Sequence, residues 1–289
     1  KKLQNMAKVI RSMKEENGAW HALLGVSEIE NRLVLEDLVM EPQIAEANYQ
    51  IVHYDGPDRR GVDVALLYKP EVFTFLDSES IPFTFEGSSI DFIMNQEQKD
   101  YFKTRDILMV HGLIDGEHFA IYVAHLPSRA GGKKGGNQLR DRGGEIMYNH
   151  AMMMQEKYPG IKIVCMGDMN DNPHNKSITK VLGARHKLKN ISPRDLYTPF
   201  ARTKPGSSVY DGRWNHYDNI IVSANMLPLI KSNPKAGLHL KPIHRRELGA
   251  IFSRDYMLDK HRHPKPTYKG TEYIGGASDH LPIYIILGE

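Results

Sequence analysis

Two apolar runs in this chain of 289 residues stop on a carboxylate and a third starts from one, which limits the folds open to it. Residues 161–166 are almost uniformly apolar and end at Gly167-Asp168-Met169-Asn170-Asp171. Residues 21–26 deliver Ser27-Glu28, and Ser278-Asp279-His280 opens the last run through Leu281-Pro282. A short segment that is apolar at consecutive positions is covered on both faces, so it belongs inside a layered structure. The acids then sit where such strands leave the interior.

The rest of the pattern supplies the layers. Leu3, Met6, Val9, Ile10 and Met13 recur at helical spacing over 2–16, with Asn17-Gly18 as a stop, and 31–40 is again helical. Segments 49–54 and 62–68 flank the polar turn Asp55-Gly56-Pro57-Asp58-Arg59-Arg60-Gly61. Short strands are predicted at 71–76, 81–85 and 90–94. Asp115-Gly116 between 107–114 and 118–124 is a strong hairpin signal. The Gly-, Lys- and Arg-rich stretch 126–144 reads as a basic loop leading into a helix at 144–157, with a further short helix near 176–183. Residues 217–222 and 281–287 are the last predicted strands. The expected fold is α/β (α+β): a four-layer sandwich of two mainly antiparallel sheets packed face to face, helices outside. No repeat or linker divides it, so 1–289 reads as one domain.

Composition narrows the class. With 40% hydrophobic and 25% charged residues and a net charge of +3, this is an ordinary globular chain rather than a polycation that coats nucleic acid. Cys165 is the only cysteine, which excludes an intrachain disulfide and any cysteine-based zinc site. No apolar run approaches the roughly 18 residues that span a bilayer. The expected protein is soluble and monomeric. The chain begins Lys-Lys rather than Met, so an N-terminal piece is expected to be missing.

The strand ends carry side chains suited to a phosphoryl centre. Asp168 can orient or deprotonate water, and Asn170 can donate to a phosphate oxygen; two apart on an extended segment, they project to one side. Taken alone, that motif is more often a plain turn. Adjacent Asp279 and His280 cannot share a strand face, so the acid meets metal or solvent while the imidazole meets substrate. Asp218 could hold that imidazole in one tautomer. Magnesium takes one or two carboxylates and completes its shell with water and phosphate, a role open to Glu28, although a surface Glu is the plainer alternative. His125 and Arg129 flank Leu126-Pro127-Ser128, and both could touch phosphate. The remaining histidines show no metal spacing. Met152-Met153-Met154 reads as helix core. The stretch 231–269, with ten Lys/Arg against three Asp/Glu, reads as a solvated face or a substrate-facing rim.

In order, Ser27-Glu28, the His125 strand end, Gly167-Asp168-Met169-Asn170, Trp214 to Ser223 and Ser278-Asp279-His280 resemble the endonuclease/exonuclease/phosphatase superfamily, which has the deoxyribonuclease I-like fold. The run from Asp58-Arg59-Arg60-Gly61 to Tyr68, and Tyr273-Ile274-Gly275-Gly276, are similar to a generic bacterial branch. The resemblance implies Glu28 as principal magnesium ligand with Asp279 near the metal, and manganese as a substitute. It implies Asp168 at the attacking water, Asn170 and His280 on the phosphate, Asp218 behind His280, and His125 as a second phosphate contact. Arg129 and Trp214 are expected at the substrate. Family members usually begin with a strand carrying an Asn, which this sequence lacks, so the domain is expected to be without its first strand. The implied activity is magnesium-dependent hydrolysis of a phosphodiester, possible substrates including nucleic acid. The alternatives are a sphingomyelinase-like or other small phosphoester hydrolase, or a catalytically impaired binding protein. The cellular address is left open between the bacterial cytoplasm and export after loss of an N-terminal segment.

Overall fold

Helix α1 (Lys2–Asn17) forms because its apolar positions share one face; it buries Ala7, Val9, Ile10 and Met13, and Gly18 ends it in the left-handed region at φ 76°. The computed structural model describes residues 1–88, 95–129, 133–228, 237–243 and 247–289. Strand β1 (Leu23–Ile29) and helix α2 (Arg32–Val39) follow, then β2 (Gln50–His53) and β3 (Asp63–Tyr68). Next come β4 (Thr74–Ile81), α3 (Gln96–Tyr101), β5 (Ile107–Ile114), β6 (Glu117–His125), α4 (Lys133–Lys157) and β7 (Lys162–Asp168). Short strands β8 (Ala184–Arg185), β9 (Leu196–Tyr197), β10 (Ser208–Tyr210) and β11 (Arg213–Asn215) lead to β12 (Asp218–Ser223). The chain closes with β13 (His239–Lys241), β14 (Ala250–Ile251), β15 (Tyr268–Lys269), β16 (Glu272–Tyr273), β17 (Ile283–Tyr284) and β18 (Ile286–Gly288).

The seven-stranded sheet runs β4-β5-β6-β7-β12-β9-β8, and a three-stranded sheet runs β1-β3-β2. Alternation along each strand builds the layers. On β3, Val64 and Leu66 meet Val110, Ile121, Val123, Val164 and Ile220 of the large sheet. Ala65 and Leu67 point the other way, against Ala7, Ile10, Leu35 and Leu38 of α1 and α2. On the far face of the large sheet, Tyr122, Ile163, Cys165 and Ile221 pack on Met147, Ala151 and Met154 of α4. The order is helix, sheet, sheet, helix. This is the α/β sandwich the sequence implied, its large sheet mixed because β6 and β7 pair in parallel.

Three local expectations change. The basic stretch is no loop for most of its described length: α4 starts at Lys133. Its glycines are packing sites, since a Cβ on Gly143 would lie 2.4 Å from Leu126 Cδ2 and one on Gly144 would lie 2.9 Å from the Ser177 carbonyl oxygen. The candidate at 71–76 becomes β4, which starts at Thr74 and runs on to Ile81. Of the candidate at 81–85 only Ile81 is strand, because Pro82 has no N–H to give the ladder; the one at 90–94 lies outside the described residues. The final run splits into β17, which pairs with β14, and β18, which pairs with β13. Parts of the basic loop and of 231–269 also lie outside the described residues. Among the described residues no helix is long and apolar enough to cross a membrane.

Gly167 of β7 pairs with Ala124 of β6 and leaves no room for a side chain. Its φ is 128°, and a Cβ there would sit 2.0 Å from the carbonyl oxygen of Ala124. Gly167→Ala is therefore expected to cost about 3 kcal/mol or more, against about 1–2 for an alanine in the left-handed region alone. Gly160, at φ 88° with nothing within 4 Å of an added Cβ, is the control. Urea melts of the two alanine variants giving equal losses would show that the approach of β6 to β7 is not limiting.

Candidate active site

Strand pairing alone sets three side chains in a row. His125 at the end of β6 lies opposite Asp168 at the end of β7 in the parallel ladder. Asp168 in turn lies opposite Asp218 at the start of antiparallel β12. The fourth member comes from the C-terminal segment: His280 bridges to Ser208, and its Nδ1 lies 2.8 Å from Asp218 Oδ2. Ligand atoms of Asp168, Asp218 and His280 all fall within 4.8 Å of one another.

The Gly-Asp-x-Asn segment achieves its geometry differently from the extended arrangement expected of it. Asn170 is left-handed at φ 50°. The turn folds it back, so its backbone N–H donates to Asp168 Oδ1 at 2.8 Å. Its side-chain amide donates to the Leu126 carbonyl at 3.0 Å and to Asp168 Oδ2 at 3.3 Å. Asn170 is buried and orients Asp168.

Electrostatics divides the row into distinct protonation states. Burial, and then the nearby Asp218 charge, push Asp168 up to about 7, although His280, the Asn170 N–H and Arg105 pull against this. Burial disfavours the His280 imidazolium, yet Asp218, by charge and hydrogen bond, with Asp168 and Asp279 outweighs it and raises His280 to about 10. His125 moves the opposite way, to about 2, through burial and the charges of Arg105, Arg60 and His280. Its Nε2 lies 3.6 Å from Asp168 Oδ2. His125 is thus a neutral, buried neighbour of Asp168.

A buried guanidinium holds this strand end. Arg105 donates from Nε to the His125 carbonyl at 3.1 Å, from Nη2 to the Leu126 carbonyl at 3.0 Å, and from Nη1 to Asp58 Oδ2 at 3.0 Å. Leu126 O therefore joins Arg105 to Asn170.

The other expected site residues are not members of this row. Glu28 occupies a bulge, since the β1–β3 register shifts between Ser27 and Ile29, and it is left-handed at φ 59°. Its carboxylate is 56% exposed, 3.4 Å from Arg60 Nη1. Asp279 is exposed beside His280. Arg129 is engaged with Asp171, the Asn170 carbonyl and Asn175, and lies over the Tyr217 ring. Asp171 turns away from Asp168, pairing also with Arg140 and Ser177. Trp214 packs with the cluster of Val9, Met13 and Phe252 and edge-on to His263. A second group that could hold a cation, His53, Asp55 and Asp63, lies on the β2–β3 side; there His53 Nε2 already meets Asp63 Oδ2 at 3.2 Å.

Asp168 and Asp218, whose carboxylate oxygens lie within 4.8 Å of each other, offer a donor pair that fits a divalent cation. Positive charge would relieve the repulsion between Asp168 and Asp218 that raises Asp168.

The whole of residues 1–289 matches the model of the Endonuclease/Exonuclease/phosphatase family. The chain belongs to this family. It is accordingly a phosphoester hydrolase by family. No curated protein matches it in sequence. Among solved structures, a Bacteroides vulgatus endonuclease/exonuclease/phosphatase has a TM-score of 0.60 at 13% identity, covering 99% of this chain and 90% of that one. D. rerio TDP2 complexed with a single-strand DNA product gives 0.56 at 15%, covering 99% and 93%. A Bacteroides thetaiotaomicron mannosyl-6-phosphatase gives 0.56 at 15%, covering 99% and 92%. At such identities these likenesses concern the fold.

Asp58, Arg60 and Arg105 were not singled out from the sequence as site residues. Arg105 lies in Lys103-Thr104-Arg105-Asp106, a polar stretch before a strand, where no spacing distinguishes a buried arginine from a solvated one.

The raised Asp168 has a thermodynamic consequence. A carboxyl bound more tightly to its proton in the folded state gives stability that is present below its unfolded value of 3.8 and lost as pH rises through about 7. Asp168→Asn removes that loss. In chelator, its melting temperature relative to the natural protein is expected to climb between about pH 4 and 7. A difference that stays flat in calorimetric scans over this range would contradict the burial and repulsion assigned to Asp168.

Proposed function

We propose that the protein is a magnesium-dependent phosphodiesterase of nuclease-like chemistry, acting by in-line attack of water. The observation that carries this is the row His125–Asp168–Asp218–His280, with a carboxylate base beside an imidazolium that Asp218 keeps charged at neutral pH. Asp168, held by both Asn170 N–H groups, accepts the proton of the attacking water. His280 donates through Nδ1 to Asp218, which leaves Nε2–H for a phosphate oxygen. His125 stays neutral and so preserves the basicity of Asp168. Glu28 and Asp279 would hold the magnesium ion, which when bound supplies positive charge to the non-bridging oxygens and the leaving group.

Nucleic acid is the substrate class proposed first, because a solved structure of the same fold is complexed with single-strand DNA product. A sugar phosphate is the second, since another neighbour is named a mannosyl-6-phosphatase. Turnover of single-stranded DNA, bis(p-nitrophenyl) phosphate, sphingomyelin and mannose 6-phosphate with magnesium, manganese or chelator discriminates among these. No metal-dependent turnover of any of them would sink the proposal in favour of a binding protein.

Asp168→Asn and His280→Gln are each expected to lower kcat by roughly 100- to 10,000-fold while leaving the circular dichroism spectrum unchanged. Loss of less than about tenfold in either would remove that residue from the chemistry. The pH–rate profile follows from the two shifts. Activity rises as Asp168 loses its proton, at a pH that the bound magnesium charge brings down from the metal-free value of about 7, and falls as His280, raised by Asp218, loses its own. Asp218→Asn removes the charge that sustains the imidazolium, so the alkaline limb should move down in pH. An alkaline limb that stays in place would separate His280 from the reaction.

A further inference from the structure

The turn between β2 and β3 carries a guanidinium that the chemistry above does not use. Asp58 shapes this turn: its Oδ1 accepts the Arg60 N–H at 3.0 Å and its carbonyl accepts the Gly61 N–H at 2.9 Å. Its Oδ2 accepts from Arg105, whose other donors grip the carbonyls of His125 and Leu126. The turn is thus fastened to the strand end that carries the row, and it presents Arg60 toward Glu28. Arg60 Nη1 lies 3.4 Å from Glu28 Oε1 and Nε lies 3.7 Å from Asp58 Oδ1, with the side chain 58% exposed. Its charge is felt at His125.

Two other guanidinium groups, Arg105 and Arg129, are committed. Arg105 has carbonyl and carboxylate partners on all three nitrogens, and Arg129 serves Asp171, Asn170 and Asn175. Among the described residues the Arg60 guanidinium has only long contacts, 3.4 Å to the exposed Glu28 and 3.7 Å to the buried Asp58. With its own side chain exposed, the pair with Glu28 stabilises little and is readily exchanged. A planar fork of donors held at a rim is suited to a tetrahedral phosphate.

Building on the hydrolase reading above, we propose that Arg60 is a catalytic residue that donates to a non-bridging oxygen of the substrate phosphate, with Asp58 and Arg105 as the positioning residues that set it there. It works from the Glu28 side of the phosphate, while His280 works from the Asp218 side. The Asp58-Arg59-Arg60-Gly61 turn thereby acquires a role beyond joining two strands.

The test compares Arg60→Met and Arg60→Lys with the natural protein on bis(p-nitrophenyl) phosphate in saturating magnesium, and measures inorganic phosphate both as an inhibitor and by titration calorimetry. Arg60→Met is expected to lose roughly 10- to 100-fold in kcat/KM and a similar factor in phosphate affinity, with an unchanged melting temperature. Arg60→Lys should recover part of both, since a point charge replaces the fork. An Arg60→Met variant within about twofold of the natural protein in both measurements overturns the proposal. If the natural protein turns over the diester, that outcome leaves the hydrolase reading intact and removes only Arg60. If it does not, calorimetric phosphate affinity still reads Arg60 independently.

Discussion

Parallel pairing of β6 with β7 is the constraint on which the site rests. Parallel strands need a long crossover, and α4 supplies it while covering the outer face of the large sheet. The same pairing places His125 level with Asp168, and the antiparallel addition of β12 brings Asp218 into the same line. A slip of one residue in either ladder would exchange the faces of every side chain on a strand. Because Val164 and Met166 on one face and Ile163 and Cys165 on the other are all packed, the register is fixed by the core before any polar group contributes. The site inherits that rigidity.

Charge is distributed at this rim in a way that opposes folding locally. Asp168 and Asp218 face each other with limited solvent, and His125 is held without its proton between cationic neighbours. Such arrangements survive because the surrounding backbone is overdetermined. Here the means are visible: Arg105 ties two carbonyls of the β6 exit to Asp58, and Asn170 ties one of those carbonyls to Asp168. Buried polar atoms that a loop would otherwise strand are used to hold the catalytic end in place.

What the sequence disclosed follows from which interactions are local. Residues 107–114 form β5 with the limits expected, because a covered strand is apolar throughout and the Asp115-Gly116 turn that follows is self-sufficient. The carboxylates and His280 were legible because they interrupt apolar runs. Helix α4 was shortened in the reading because Gly143 and Gly144 suggest a loop, whereas they answer to Leu126 and Ser177, residues far away in the chain. Arg105 was invisible for the same reason: its partners lie 20, 21 and 47 positions away. Asn170 was recognised by type, but its left-handed backbone, and hence its grip on Asp168, is a property of the turn.

The bulge in β1 has an effect on how this protein can vary. Glu28 is the surplus residue between Ser27 and Ile29, so it has no partner across the ladder and is excused from the in-and-out alternation that governs its neighbours. Its side chain is consequently uncoupled from the interior. Exchange of Glu28 for another residue that tolerates a left-handed backbone would therefore alter the chemistry at the rim while the sandwich beneath scarcely registers the change.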